Sequence, residues 1–159
     1  MIFLDTDTLS YFLSGNTAVI EKVNETVNNN IQICLTGINV YEFLKGLRFR
    51  SKKDEEREFN NFLKDIGIFH LDNNAIQTAA DIYANLRKRG ITVGDADILI
   101  ASIVMVHNGK LITNNTRHYK NINGLIIENW YIWFALCTIK TYTEIQEQDK
   151  VYVEKLLTQ

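Results

Sequence analysis

The sequence predicts an α/β fold with a mainly parallel central sheet. Short apolar runs of strand length alternate with longer segments whose apolar residues recur at helical spacing, an alternation typical of parallel α/β folds. The length of 159 residues, with 46% hydrophobic and 23% charged residues, suits one globular domain with a substantial core. Because the chain contains no proline, we expect glycine and asparagine to end its helices.

Each predicted element follows from its local pattern. Apolar runs predict strands at residues 2–4, 31–36, 68–71, 110–113 and 124–129. Helical spacing predicts helices at residues 9–13, 17–27, 38–49, 52–67, 73–90 and 95–109. The charged helix at 52–67 turns Phe59, Phe62 and Leu63 inward, and Gly90 is a usual helix terminator.

Charge and cysteine content restrict the partners and sites to be expected. A net charge of −2 provides no overall attraction for nucleic acid, so an RNA partner would need local basic patches or bound metal. Cys34, Cys137 and the three scattered histidines have no zinc-ligand spacing. Since the sequence has no signal peptide and no membrane-spanning run, we expect reduced thiols, a cytoplasmic protein and no membrane partner.

Polar side chains stand where the apolar elements begin or end. Asp5 ends the first strand, and a carboxylate at the end of a buried strand needs a partner or a cation. The other residues of this kind are Glu42, Asp95, Asp97, Asn114 and Asn115. Because the strand-to-helix junctions of a parallel sheet fall on one edge, we expect these side chains to converge there.

Converging carboxylates predict a metal site, because they repel one another unless a cation is present. Oxygen ligands suit Mg²⁺ or Mn²⁺, which polarise phosphoryl oxygens and lower the pKa of a bound water. For single residues a simpler interpretation stays open. Asp7 or Thr8 would cap the first helix. Asp95 or Asp97 would only interact favourably with the dipole of its helix.

Three segments carry a resemblance to a known family. They are MIFLDTDTLSYFL at 1–13, TGINVYEFLKGL at 36–47 and DADILIASIVMVHNGKLITNNTRHYKNINGLIIENW at 95–130. In this order and spacing they resemble PIN-domain ribonucleases of the VapC toxin type. The resemblance implies a three-layer α/β/α PIN domain at residues 1–130, followed by an extension at 131–159 that has no family counterpart.

The same resemblance implies an activity, a metal and partners. PIN-domain toxins are Mg²⁺- or Mn²⁺-dependent endoribonucleases, commonly dimers, whose acidic site is blocked by a VapB antitoxin. We therefore expect RNA as substrate, a VapB-type antitoxin as partner and a homodimer. By position, Asp5, Glu42 and Asp97 match catalytic metal ligands, with Glu42 as ligand or water-positioning base. Asn115 replaces the family's fourth acid, which leaves the number of metals open.

Other residues near these positions are expected to support the site or contact the substrate. They are Thr6, Asp7, Asp95, Thr113, Asn114, Thr116 and Arg117. Arg117 is a candidate for contact with a phosphate or with a carboxylate of the antitoxin. A basic run after Glu42 either binds RNA phosphates or forms a solvated helix face; it contains Lys45, Arg48, Arg50, Lys52 and Lys53.

Two alternative functions stay open on the sequence alone. FLDTDT also fits the DxDxT signature of haloacid-dehalogenase-type phosphatases, with Asp5 as nucleophile, Asp7 as general acid and Lys88 as the family's lysine. That interpretation leaves Glu42 and the segment TNNTRHY unexplained. The other alternative is a non-catalytic PIN module that only binds a partner or RNA, motivated by Asn115 and by the extension.

The extension begins with the apolar run YIWFALCTI at 131–139. A bilayer span takes about 20 residues, so this run is too short to cross a membrane. A polar segment, TEIQEQDKVYVEKLLTQ at 143–159, follows and is expected to be helical. We predict that the apolar run covers an apolar surface, either of its own domain or within a homodimer.

Overall fold

The computed structural model describes residues 1–131, in which seven helices flank a five-stranded sheet. The strands are β1 (Ile2–Leu4), β2 (Ile33–Thr36), β3 (Gly67–Phe69), β4 (Lys110–Ile112) and β5 (Ile126–Glu128). The helices are α1 (Thr6–Leu13), α2 (Thr17–Asn28), α3 (Gly37–Phe49), α4 (Lys53–Phe62), α5 (Asn73–Lys88), α6 (Asp95–Val106) and α7 (Thr116–Tyr119). Beyond Tyr131, the predicted apolar run and the predicted C-terminal helix lie outside the described residues.

The sheet is parallel throughout, with the strand order β3-β2-β1-β4-β5. The chain adds β2 and β3 on one side of β1, and β4 and β5 on the other, so the strand order reverses at β1. Open α/β sheets bind ligands in the crevice at the carboxyl ends of the strands beside such a reversal. Asp5 follows β1 directly and therefore lies at this crevice.

Apolar cores cover both faces of the sheet. Phe3 and Leu111 pack into a core with α5 and α6, whereas Leu4 and Ile112 pack into a second core with α1, α2, α3 and α4. This division follows from the strand pleat, which points successive side chains to opposite faces. The result is the three-layer α/β/α architecture that the family resemblance implies.

Two predicted helix boundaries are wrong for local reasons. The first helix begins at Thr6, three residues earlier than predicted, because Asp5 has an extended backbone and takes the N-cap position. The fourth helix ends at Phe62 instead of residue 67. There the backbone N–H groups of Lys64 and Asp65 bond to carbonyls three residues back, which tightens the turn and ends the helix.

Several smaller predictions can also be compared with the structure. The third strand covers Gly67–Phe69 instead of residues 68–71. Helix α7 was not predicted, because four residues are too few to show a period. Cys34 is a buried free thiol as predicted, while Cys137 lies outside the described residues. Within residues 1–131, no helix has the length and apolar character needed to cross a membrane.

Candidate active site

Asp5 is a buried carboxylate held by donors from three other elements. Its side chain makes no capping bond to α1, although the residue occupies the N-cap position. Its Oδ1 instead accepts hydrogen bonds from Asn39 Nδ2 (3.2 Å) and the Tyr119 hydroxyl (3.3 Å), and Oδ2 accepts one from Thr113 Oγ1 (2.7 Å). With 6% of its surface exposed, Asp5 joins the end of β1 to α3, α7 and the end of β4.

The surroundings of Asp5 disfavour its charge. The pKa of Asp5 is raised from 3.8 to about 6, chiefly by burial and to a smaller extent by the charges of Asp7 and Asp97. The hydrogen bonds from Thr113 and from the Thr6 backbone act in the opposite direction. Within residues 1–131, the side chains that donate to Asp5 are all neutral, so none of these donors offsets its negative charge.

Asn39 is a fully bonded amide that fixes the start of α3 against Asp5. It forms a capping box with Thr36, in which Asn39 Oδ1 accepts from the Thr36 backbone N–H (3.2 Å) and from Thr36 Oγ1 (2.6 Å). Its two amide hydrogens go to Asp5 Oδ1 (3.2 Å) and Thr6 Oγ1 (3.1 Å). Asn39 is completely buried, and these bonds fix which end of its amide faces Asp5.

Glu42 lies one turn beyond Asn39 on α3 and is connected to Asp5 through Thr6. Thr6 Oγ1 donates a short hydrogen bond to Glu42 Oε2 (2.6 Å) while accepting the one from Asn39. Glu42 also borders an open cleft of about 310 Å³ that is lined by Phe43, Gly46 and Phe49, among others. One carboxylate oxygen of Glu42 is thus held by Thr6 at the rim of an open cleft.

Asp97 stands in the first turn of α6 and contacts two residues of α7. Its Oδ2 lies 2.8 Å from His118 Nδ1, and its Oδ1 lies 3.2 Å from the Tyr119 hydroxyl. That hydroxyl also faces Asp5, but a single proton serves one carboxylate at a time. Burial, and then the charges of Asp5 and Asp97, raise the pKa of Tyr119 well above its ordinary value, so the hydroxyl keeps its proton.

Asp7 connects the first and fourth strand ends and does not cap α1. It lies inside the first helical turn, where its Oδ2 accepts from the Asn114 backbone N–H (3.1 Å). Thr8 is also inside the helix and donates to the Ile112 carbonyl (3.0 Å). The prediction that either residue caps this helix is therefore wrong, because Asp5 already occupies the N-cap.

The chemistry of this donor set suits a hard divalent cation. Asp5, Glu42 and Asp97 offer carboxylate oxygens, which Mg²⁺ and Mn²⁺ prefer. As the side chains stand, no three His, Cys, Asp or Glu residues within 1–131 are grouped closely enough to hold a metal ion. The hydroxyls of Thr6 and Tyr119 link the acids instead. The donors fit the predicted metal in type, and their roles as ligands stay predictions.

Comparison with protein-family models decides the family. The model described as PIN domain matches residues 2–124 of this chain. The chain belongs to the PIN domain family. This confirms the family to which the segments quoted from the sequence pointed.

Relatives of this PIN domain chain include named ribonucleases. "Ribonuclease VapC2" of Rickettsia felis is 27% identical over 80% of this chain and 96% of its own. "tRNA(fMet)-specific endonuclease VapC" of Salmonella typhimurium is 27% identical over 77% of this chain and 98% of its own. A crystal structure of VapBC2 from Rickettsia felis, bound to a DNA fragment of the promoter, is similar in fold, with a TM-score of 0.76. It shares 26% identity and covers 82% of this chain and 99% of that one.

The predicted convergence of the site residues is partly direct and partly through neighbours. Asp5 and Asp97 share the Tyr119 hydroxyl, and Thr6 connects Glu42 to the same network. The remaining predicted residues that join the network are Thr113, which donates to Asp5; Asn114, whose Oδ1 accepts from Asn129; and Asn115, whose Nδ2 lies 2.9 Å from His118 Nδ1.

Three predicted supporting residues stay outside this network. Asp95 is exposed and, within residues 1–131, makes no side-chain contact with the other acids. Thr116 begins α7, and Arg117 is exposed on it; neither side chain bonds to the acids within the described part of the chain. These three residues were predicted from their positions in the sequence, and in the structure they lie at the edge of the site.

Sequence analysis missed Asn39, His118 and Tyr119. Asn39 was detectable, because Thr36 and Asn39 have the spacing of a capping box. Tyr119 and His118 belong to a four-residue helix without periodicity, so only the fold reveals that they face Asp5 and Asp97.

The phosphatase alternative does not agree with the fold or the family. Lys88 is the last residue of α5. This helix starts beyond the carboxyl end of β3 and runs back toward the amino ends of the strands. A 16-residue helix is about 24 Å long, which separates Lys88 from Asp5. Asp7 is moreover engaged by the Asn114 backbone.

Proposed function

We propose that this chain is an Mg²⁺- or Mn²⁺-dependent endoribonuclease toxin of the VapC type, inhibited by a VapB-type antitoxin. The observation that carries the proposal is the Tyr119 hydroxyl, which lies 3.3 Å from Asp5 and 3.2 Å from Asp97 and so holds two acids from distant parts of the chain together. The ribonuclease names of the relatives and the VapB-containing complex of similar fold support it.

In this proposal Asp5, Asp97 and Glu42 hold the cation. When bound, it would polarise a phosphoryl oxygen and lower the pKa of a nearby water. Asn39, Thr113 and Tyr119 orient the Asp5 carboxylate before any ligand arrives, and such preorganisation removes the cost of arranging it during reaction.

Glu42 is suited to orient the attacking water. Thr6 occupies its Oε2, which leaves Oε1 to accept a proton from a water in the adjoining cleft. Arg117 is exposed next to His118 and Tyr119 on α7, and its proposed role is contact with a phosphate of the substrate. Of these two residues, Glu42 is already fixed in position by Thr6.

The test is cleavage of RNA by the purified full chain with Mg²⁺ or Mn²⁺, with and without EDTA. Asp5→Asn and Asp97→Asn keep the side-chain shape but remove one charge each, and we expect a loss of about 10²-fold or more. Asp81→Asn is the matched control, because Asp81 is exposed in the middle of α5 and makes no hydrogen bond to the site residues within the described part of the chain. It should cleave like wild type.

The outcomes separate the nuclease from a contaminant and from a non-catalytic module. Discrete fragments made by wild type and Asp81→Asn, and abolished by EDTA, support the nuclease, and the fragment ends identify the RNA target. Equal cleavage by all four proteins would reveal a contaminant. A folded wild type that binds antitoxin or RNA without cleaving it would contradict the proposal and favour the non-catalytic PIN module.

We also propose the assembly and the domain limits that the sequence predicted. These are a homodimer and a PIN domain at residues 1–130 followed by a separate extension at 131–159. The match of the family model to residues 2–124 supports a boundary after that point. Light scattering of the purified chain, alone and with a co-expressed antitoxin, measures the stoichiometry.

A further inference from the structure

An apolar groove of about 580 Å³ lies between α1, α3 and α4. Its aromatic wall contains Phe12, Phe43, Phe59 and Phe62, whose rings contact one another at centroid distances of 4.4–6.2 Å. Pockets of roughly 300–1,000 Å³ accommodate ligands as large as a drug molecule, so this one has room for several apolar side chains. The groove adjoins the Glu42 cleft, with which it shares Ser10, Phe43 and Arg50.

The described part of the chain ends at the rim of this groove. The ring of Tyr131 stacks on Tyr11, a lining residue, with centroids 4.9 Å apart and planes 23° apart. The Tyr131 backbone N–H donates to Asn129 Oδ1 (2.8 Å), and the Trp130 indole donates to Glu128 (3.0 Å), which fixes the direction of the chain here. The next residue therefore starts beside the groove.

The sequence that follows has the composition to fill it. Residues 132–139 read IWFALCTI, with one polar side chain among eight. An extended chain spans about 3.4 Å per residue, so Cys137, six residues beyond Tyr131, reaches about 20 Å from the rim. That distance covers a groove of this size, and burial of Trp133 and Phe134 would remove a large apolar area from water.

We propose that residues 132–139 dock in the groove between α1, α3 and α4 of their own chain. This assigns an occupant to the apolar face, and any partner that enters the groove must displace the segment first.

The native Cys137 provides a direct test by disulfide trapping in the full chain. Glu58 is exposed and lines the groove on α4, away from the α1 rim where Tyr131 stacks, so Glu58→Cys brings a second thiol to the proposed site. Glu21→Cys is the control, because it replaces a likewise exposed glutamate on α2, outside the groove lining. Glu21 is also close to the end of the described chain. Its neighbour Lys22 is near enough to Glu128 for its charge to lower the pKa of that carboxyl.

Mild oxidation should convert most of the Glu58→Cys protein to a faster-migrating, internally cross-linked form, and little of the Glu21→Cys protein. A disulfide needs Cα atoms within about 7 Å, so the yield reports proximity. In urea the two yields should become similar. Mass spectrometry of peptides locates the bond and verifies that buried Cys34 stays reduced.

Three results would overturn the proposal. Equal native yields at both positions would place the segment elsewhere, and so would the absence of a bond at Glu58→Cys. A disulfide only between two chains would assign the groove to a second copy. None of these results depends on RNA cleavage, so the docking proposal and the nuclease proposal fail independently.

Discussion

Asp5 and the basic run on α3 and α4 carry charge in opposite ways. Asp5 is 6% exposed and bonded to neutral donors, and burial raises its pKa to about 6. The basic run is exposed and pairs locally: Arg48 lies 2.8 Å from Glu56, and Lys52 lies 2.7 Å from Glu55. A buried charge without a counter-ion is costly, whereas exposed pairs contribute little.

The comparison shows why a run of like residues is a weak guide to function. Five basic residues within nine positions attract notice in the sequence, yet two of them pair with neighbouring carboxylates in the structure. One carboxylate at a strand end is less conspicuous, but the fold surrounds it with two more acids that raise its pKa. Burial, not the number of charges, distinguishes the candidate site.

The largest expected effect concerns the pH dependence of stability in metal-free protein. The Asp5 pKa is about 6 in the folded state against 3.8 ordinarily. Between these two pKa values the Asp5 carboxyl binds its proton more strongly in the folded state than in the unfolded state. The contribution of Asp5 to the free energy of unfolding is therefore fully present at acid pH and is lost as the pH rises through about 6. The difference corresponds to about 3 kcal/mol. Asp5→Asn does not titrate and should lose this component.

The measurement is urea unfolding of wild type and Asp5→Asn at several values between about pH 4 and about pH 7 in EDTA. The contributions of groups that do not interact with the Asp5 charge cancel in the difference between the two proteins. Parallel profiles would contradict the buried, uncompensated carboxylate. Addition of Mg²⁺ near neutral pH should raise the melting temperature of wild type but not of Asp5→Asn, since a ligand stabilises only the state that binds it.

A smaller loss of stability is expected from substitution of Asn39, whose amide donates to both Asp5 and Thr6. Asn39→Leu keeps the approximate shape but removes the capping box and the donors to Asp5 and Thr6. Loss of hydrogen bonds to a buried carboxylate should cost about 2 kcal/mol in the free energy of unfolding. Asn60→Leu on the exposed part of α4 is the control. Equal stability of the two variants would mean that Asp5 does not depend on this amide.

Much of the fold could be predicted because its signals are local. The alternation of strands and helices, the acids at the junctions and the helix stops can all be seen in short windows of sequence. The strand order β3-β2-β1-β4-β5 could not be predicted in this way, because the pairing of β1 with β4 joins residues more than 100 positions apart. Positions at which the fold brings distant residues together are where sequence analysis failed.

The candidate site shows the same limit. Asp5, Glu42 and Asp97 were selected by position, but nothing local indicated that Tyr119 would lie between Asp5 and Asp97. The contact made by Asp7 was equally hidden, because its partner is the backbone N–H of Asn114, 107 positions away. Until the neighbouring strand end is known, a carboxylate in the first turn of a helix can equally be interpreted as a cap.

The smallest expected effect compares two arginines as RNA contacts. Arg48 already pairs with Glu56 through Nε and Nη2, both to Oε1, so its charge is locally neutralised. Arg117 is exposed beside His118 and forms no ion pair with the described residues. We therefore expect Arg117→Gln to raise KM for RNA without changing the unfolding midpoint, and Arg48→Gln to change neither.

Salt dependence separates a phosphate contact from a general charge effect. Each lost contact should reduce the slope of log affinity against log salt by about 0.7 on a single strand, and we expect this for Arg117→Gln alone. Binding is measured with the cleavage-deficient Asp97→Asn background, so that substrate stays intact. Equal slopes for both arginine variants would mean that RNA binding responds to the overall surface charge. The local ion pair of Arg48 would then make no difference to substrate binding.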